Sequence, residues 1–211
     1  MRCAVAIPLL LLALPLWAGK NKNLNPGLMK KPPQTVEIAH LEVPKPKQNC
    51  PNWAWAAAFQ LMLSEQNITD YQQSYWVMKS AGGELCIEEP INLDRLKQLV
   101  DGDYKLSDGN DMHFQGVITP GAPTDVSYFV AQLKQGRTAM LLWRGKPYVL
   151  QSIEYDEYIY PNGQRMFEAR KLTLLDPITK KTEVFEKTKD DPAELGGVFE
   201  VKVGPVDPFK Y

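Results

Sequence analysis

The segment from Ala54 to Gln66 restricts the fold of this 211-residue chain more than any other. Its apolar residues recur at the spacing of one helix face, and strong helix formers fill the rest. Three consecutive alanines, Ala56, Ala57 and Ala58, have side chains so small that another backbone can approach closely. The segment therefore predicts a central and largely buried helix.

Shorter helices precede a run of strands. Further helices are predicted from Thr69 or Asp70 to Lys79, from Asn92 to Val100 and from Thr124 to Gln135. Strands are predicted at Thr35–Val43, His113–Ile118, Arg137–Trp143, Pro147–Tyr155, Arg165–Leu175, Glu183–Lys187 and Val198–Val203. This order predicts an α+β fold, in which an N-terminal helical half packs on or beside a curved antiparallel sheet.

Three features of the connecting segments are also predicted. Residues 101–111 are polar and indicate a loop. Pro161-Asn162-Gly163 is typical of a tight hairpin turn. Strand alternation beside that turn predicts that Glu154, Asp156 and Glu157 face solvent.

The N-terminus reads as an export signal. Arg2 precedes an apolar run from Cys3 to Trp17, which small residues close. The run is shorter than the roughly 20 residues of a spanning helix, which disfavours a membrane anchor. We therefore predict a signal peptide at residues 1–18 with cleavage near Ala18, a flexible leader at 19–34, a folded domain at 35–205 and a tail at 206–211. The protein is expected to be secreted or periplasmic, without stable membrane insertion.

The composition and the residue pattern disfavour several classes of partner. The formal net charge of −1 lacks the basic excess that nucleic acids require, so nucleic acid is not an expected partner. His40 and His113 have no cluster of ligands around them, and the Asp- and Gly-rich loops lack the spacing of an EF-hand. No metal site and no cofactor are predicted.

The segment from Gln48 to Ala58 resembles the nucleophile segment of papain-like cysteine peptidases. It is most similar to the small secreted bacterial type, in which a Gln precedes an Asn-Trp-Cys-Trp-Ala-Ala motif. The resemblance implies a papain-like fold, with the central helix packed against a curved antiparallel sheet or half-barrel. It places Gln48 as the donor to the oxyanion. The position of the nucleophilic Cys is occupied by Ala54.

Two looser motifs follow in the order that the family has. In the stretch from Met140 to Tyr155 the position of the general-base His falls on Tyr148 or on Lys146. In Leu174-Leu175-Asp176-Pro177, Asp176 corresponds to the residue that orients the His. The alternative for Asp176 is simply a turn at the end of a strand.

The cysteines have two interpretations. Removal of the signal peptide removes Cys3 and leaves Cys50 and Cys86, an even pair that in an exported chain indicates a disulfide. The resemblance implies the same pairing, because the family places a half-cystine shortly before the central helix. Two free buried thiols are the alternative.

The resemblance and its missing groups together predict a pseudoenzyme. A methyl group cannot attack a carbonyl, and a phenol is a poor general base at neutral pH. We therefore expect a module that binds a peptide or protein in the cleft, lined by Trp53, Trp55, Trp143 and Tyr148. The alternative is that these aromatic residues are buried in the core and have only a structural role. The competing function is an active hydrolase that uses Cys50, or a serine with His113 or Lys146.

Overall fold

The architecture is described by a computed structural model that covers residues 28–39, 41, 42, 44, 51–82 and 92–207. Four α-helices lie in these ranges: α1 Ala54–Ser64, α2 Gln73–Ala81, α3 Leu93–Val100 and α4 Ser127–Lys134. No helix of the described residues is long and apolar enough to cross a membrane.

Nine strands of the described residues form one antiparallel sheet. They are β1 Met29–Lys30, β2 Gln34–Glu37, β3 Gly102–Lys105, β4 Asp111–Pro120, β5 Met140–Trp143, β6 Lys146–Ile159, β7 Arg165–Leu175, β8 Thr182–Glu186 and β9 Leu195–Pro205. The strand order is β3-β4-β9-β5-β6-β7-β8. The prediction of an α+β protein is confirmed at this level.

Strand β6 organises the sheet. One of its edges pairs with β7, from Val149 opposite Leu175 to Ile159 opposite Arg165. Its other edge pairs in turn with β5, β2 and β1. Residues 28–34, which the sequence places in a leader, thus contribute β1 and the first residue of β2.

The sheet carries a core on each face. Helices α1, α2 and α3 pack on one face and α4 on the other. Successive strand residues alternate between the two cores, as Met140 and Leu141 of β5 do. The predicted burial of the central helix is confirmed, because Ala56, Ala57 and Ala58 have no exposed surface.

Two predicted helix caps are wrong. Helix α2 begins at Gln73 rather than after Thr69 or Asp70, because Asp70 Oδ1 accepts the amide of Ser107 at 2.9 Å. Helix α4 begins at Ser127 rather than after Thr124. A tertiary hydrogen bond thus engages the carboxylate that was predicted to cap α2. At the start of α4, Asp125 Oδ1 accepts the amides of Ser127 at 2.9 Å and of Phe167 at 3.2 Å.

The predicted loop at residues 101–111 contains β3. This strand pairs with β4, and its Tyr104 ring stacks on Phe114 with centroids 4.4 Å apart. The Tyr104 hydroxyl donates to the carbonyl of Val100 at 2.8 Å. Long-range packing therefore gives strand structure to a segment that is polar in sequence.

Asp156 and Glu157 are buried, contrary to the predicted solvent face, with 6% and 3% of their surface exposed. Strands β1 and β2 and the residues between them cover these carboxylates. Lys30 Nζ lies 2.7 Å from Asp156, and Lys31 Nζ lies 3.0 Å from Glu157. The hydrogen bond from Lys31 holds the pKa of Glu157 below its ordinary value.

Gly197 is expected to be the least replaceable glycine of β9. Its φ of +150° disfavours side chains, and a Cβ there would lie 2.8 Å from Leu93 Cδ1 and 2.9 Å from the Thr119 carbonyl oxygen. Gly197→Ala should lower the free energy of unfolding by about 2–3 kcal/mol, measured by chemical denaturation. Gly204→Ala on the same strand, where a Cβ meets nothing within 4 Å, is the control. Equal stability of the two variants would contradict this packing.

Candidate functional site

A cavity of about 300 Å³ opens at the N-terminal end of α1, and we call it the Ala54 cavity. Three segments line it: the start of α1, the β5–β6 hairpin and the turn after β7. The lining residues are Asn52, Ala54 and Trp55, residues 145–148, and Asp176, Ile178 and Thr179. The fold therefore brings Ala54, Tyr148 and Asp176 to one place.

Ala54 is the first residue of α1 and follows a short 3₁₀ turn, Pro51–Trp53. Its side chain is a methyl group, and the residue is 6% exposed. Trp53 at the N-cap makes no capping hydrogen bond with its side chain. The start of α1 thus presents the positive end of the helix dipole beside the cavity, without a nucleophilic side chain at residue 54.

The β5–β6 hairpin positions Lys146 and Tyr148. Its two-residue turn, Arg144–Gly145, has positive φ at both residues, 52° and 72°, as a type I′ turn requires. Arg144 is held there by Glu194, 2.7 Å from its Nε, and its guanidinium lies 4.4 Å from the centre of the Trp143 ring. Both candidates for the general-base position, Lys146 and Tyr148, therefore lie at the start of β6 and line the cavity.

Tyr148 is 4% exposed, and its hydroxyl donates to Glu183 Oε1 at 3.0 Å. Burial, followed by the hydrogen bond to Glu183 and the charge of that carboxylate, raises the pKa of Tyr148 to about 12. The phenol is thus protonated throughout the physiological range. It acts as a hydrogen-bond donor with a fixed partner.

Asp176 lies where the chain turns from β7 to β8. Its Oδ1 accepts the backbone N–H groups of Ile178 at 2.7 Å and Thr179 at 3.1 Å. This is the geometry of an Asx turn, which is the strand-ending alternative that the sequence leaves open. Asp176 therefore stabilises the turn and forms part of the cavity wall at the same time.

The four candidate aromatic residues do not all reach the cavity. Trp55 and Tyr148 line it, whereas Trp53 and Trp143 are not among its lining residues. Trp53 and Trp143 are each 3% exposed and belong to the cores on opposite faces of the sheet. In Trp143 the indole ring lies 5.7 Å from Tyr148 and so packs behind the cavity wall.

The other candidate residues lie elsewhere. His113 pairs with Asp103 on the β3–β4 hairpin, and it does not line the Ala54 cavity. The six serines do not line it either: Ser64, Ser74, Ser80, Ser107, Ser127 and Ser152. Gln48, Cys50 and Cys86 fall outside the described residues, and so does the predicted disulfide.

A second cavity, of about 270 Å³, contains two glutamates that the sequence did not single out. Glu65, at the end of α1, accepts the amide of Thr138 at 2.7 Å, and Glu200 of β9 is 7% exposed. Burial raises the pKa of each carboxyl to about 7. No local motif marks them, because their neighbourhood forms only when α1, α4 and β9 pack together.

No protein-family model, curated protein or solved structure matches this chain. Within the described ranges, no group of three or more His, Cys, Asp or Glu side chains is placed to hold a metal ion. Function is therefore inferred from the chemistry of the residues that meet in the Ala54 cavity.

Proposed function

We propose that this chain is an exported protein of papain-like fold that binds a peptide or protein segment in the Ala54 cavity without cleaving it. The observation that carries the proposal is the meeting of Ala54, Tyr148 and Asp176 in one cavity. The resemblance aligns these residues with the nucleophile, the general base and the orienting residue. They are far apart in sequence, so tertiary structure alone unites them. Export is inferred from residues 1–18.

The chemistry of the cavity supports binding without hydrolysis. A cysteine peptidase needs a thiolate and an imidazole within hydrogen-bond reach. Ala54 has only a methyl group, and the Tyr148 phenol stays protonated and donates a hydrogen bond to Glu183. Among the described lining residues there is no Cys, Ser or His.

The walls of the cavity support recognition of a peptide. The aromatic and aliphatic surfaces of Trp55, Pro147, Tyr148 and Ile178 provide apolar contact area, and polar residues such as Asn52 lie beside them. Ligand pockets commonly combine apolar walls with a few oriented polar groups. The volume, about 300 Å³, is at the lower end of the range for such pockets, roughly 300–1,000 Å³.

Peptide binding that requires an open cavity tests this proposal. The wild-type protein is incubated with a library of N-acetyl tetrapeptide amides, and binding is followed by saturation-transfer NMR. We expect binding by the wild type and at least a tenfold loss in Ala54→Phe, whose ring would fill the cavity. Mass spectrometry should find the bound peptides intact after one day.

The controls separate blockage from unfolding. Ala131→Phe places the same ring on an exposed residue of α4 and should bind like the wild type. Thr179→Trp, at the exposed rim of the cavity, is a second blocking variant in case Ala54→Phe does not fold. Absence of peptide binding by the folded wild type, or binding unaffected by both blocking variants, would refute the proposal.

A further inference from the structure

We propose that the Ala54 cavity receives the C-terminal residue of its peptide, with an apolar side chain inside and the α-carboxylate on Lys146. This inference rests on the proposed function and specifies which part of a peptide occupies the cavity. Two features carry it: the largely apolar walls of the cavity and the exposed Lys146, which has no acidic partner among the described residues.

The inner walls offer few polar groups to a ligand. The Tyr148 hydroxyl is directed to Glu183, and Asp176 Oδ1 already accepts two backbone N–H groups of its own turn. The rest of the lining is mostly apolar: it includes the methyl group of Ala54 and the surfaces of Trp55 and Ile178, with Asn52 and Thr179 as further polar residues. An apolar side chain loses no hydrogen bond on entering such a space, whereas a polar one would.

Lys146 is the only Lys or Arg among the described lining residues. It is exposed, and it makes no ion pair within 4.0 Å with an acid in the part of the chain that the structure covers. The neighbouring Arg144, by contrast, pairs with both Asp190 and Glu194. The ammonium group of Lys146 is therefore available to an anion that arrives with a ligand.

The volume of the cavity and the charges around it favour the C-terminal residue of a peptide as the ligand. A cavity of about 300 Å³ suits one residue rather than a longer segment. The positive end of α1 lies on the same side as Ala54 and has the same sign as Lys146. Asp176 and Glu183 lie near Tyr148 and raise its pKa by their charge, so they disfavour an acidic side chain within the cavity. The favourable place for a carboxylate is then beside Lys146.

The test compares N-acetyl-Gly-Gly-Leu as the free acid with the same tripeptide as the C-terminal amide. Dissociation constants at pH 7 and low salt are obtained from NMR titrations of the isotopically labelled protein. We expect the acid to bind roughly fivefold more tightly, the upper range for an exposed ion pair. Lys146→Met should abolish this difference by weakening the binding of the acid to the level of the amide. Replacing Leu by Gly should weaken binding about tenfold, because the buried side chain is lost.

Lys134→Met removes an exposed lysine from α4 and is the matched control, which should preserve the preference for the acid. Equal affinity for acid and amide, or an equal loss of both in Lys146→Met, would overturn the inference and leave the proposed function standing. Absence of binding by both tripeptides and by the tetrapeptide amides would overturn the proposed function as well. If 4-methylpentanoate, which has the carboxylate and the branched chain but no peptide bond, binds as tightly as the acid, the ligand is an organic acid and the peptide assignment fails.

Discussion

The double variant Ala54→Cys/Tyr148→His should react with an epoxysuccinyl probe for cysteine peptidases at pH 5.5, at least tenfold faster than Ala54→Cys alone. An isolated thiol with a pKa near 8.5 is only about 0.1% thiolate at that pH. An imidazolium beside it would stabilise the thiolate, and so would the positive end of α1. The gain in thiolate exceeds the loss of intrinsic nucleophilicity that accompanies a lower pKa.

Reactivity is expected without efficient turnover of peptides. In the present structure Asp176 Oδ1 is occupied by the amides of Ile178 and Thr179, so it is not free to orient a new imidazole. Labelling is measured by intact-protein mass spectrometry and turnover with a fluorogenic peptide. The variant Ala54→Cys/Lys146→His tests the other candidate position for the base. The faster of the two double variants identifies which residue stands in its place.

The control for this experiment is Ala131→Cys/Tyr148→His, which places the thiol on the exposed face of α4. It should react no faster than a free thiol. If both double variants fold but react with the probe no faster than Ala54→Cys alone, the cavity lacks the catalytic geometry of the family. Peptide hydrolysis by the wild type that disappears in Cys50→Ser would favour the active-hydrolase alternative.

The second large effect concerns the stability of the fold against pH. Glu65 and Glu200 each have a pKa raised from 4.5 to about 7, chiefly by burial. The folded state therefore holds more protons than the unfolded state between these values. Their contribution is fully present below pH 4.5 and is lost as the pH rises through about 7, so the free energy of unfolding should fall over this interval.

The expected loss is on the order of 1–2 kcal/mol for each glutamate, after allowance for solvent screening of partly exposed groups. It is measured by urea denaturation at pH 4.5, 6 and 8. Glu65→Gln/Glu200→Gln should remove most of this decline, because an amide does not titrate. Glu37→Gln, at an exposed residue of β2, should retain it. A double variant with the same decline as the wild type would refute the assignment.

Glu157 has the opposite effect on the pH dependence of the free energy of unfolding. The pKa of Glu157 is lowered by the hydrogen bond from Lys31, so its contribution is present above its ordinary value and is lost on acidification. Comparison of the wild type with the glutamine variants isolates Glu65 and Glu200 from this opposing effect.

Much of the secondary structure follows from local patterns. The helical period of the segment at Ala54 predicts α1, and alternation predicts the long strands of the second half. The Pro161-Asn162-Gly163 turn joins β6 to β7 as expected. Errors occur where a polar side chain bonds to a distant segment, as Asp70 does with Ser107. Such a partner lies beyond the window over which capping rules operate.

Local sequence patterns also do not predict which charged side chains are buried. Asp156 and Glu157 belong to a strand whose alternation indicates a wet surface, but β1 and β2 and their lysines cover them. Glu65 and Glu200 line one cavity although they are remote in sequence. Their neighbours Gln66 and Val201, which are 135 positions apart, are joined by a hydrogen bond. Burial of this kind depends on which elements pack together.

By itself, the sequence establishes the residue types at the three aligned positions: a methyl group at Ala54, a phenol at Tyr148 and a carboxylate at Asp176. Only the tertiary structure decides that they line one cavity, that the phenol is engaged by Glu183 and that the carboxylate closes a turn. The physical reason is that covalent chemistry is a property of each side chain. Its protonation and its hydrogen-bond partners depend on groups that folding brings from remote parts of the chain.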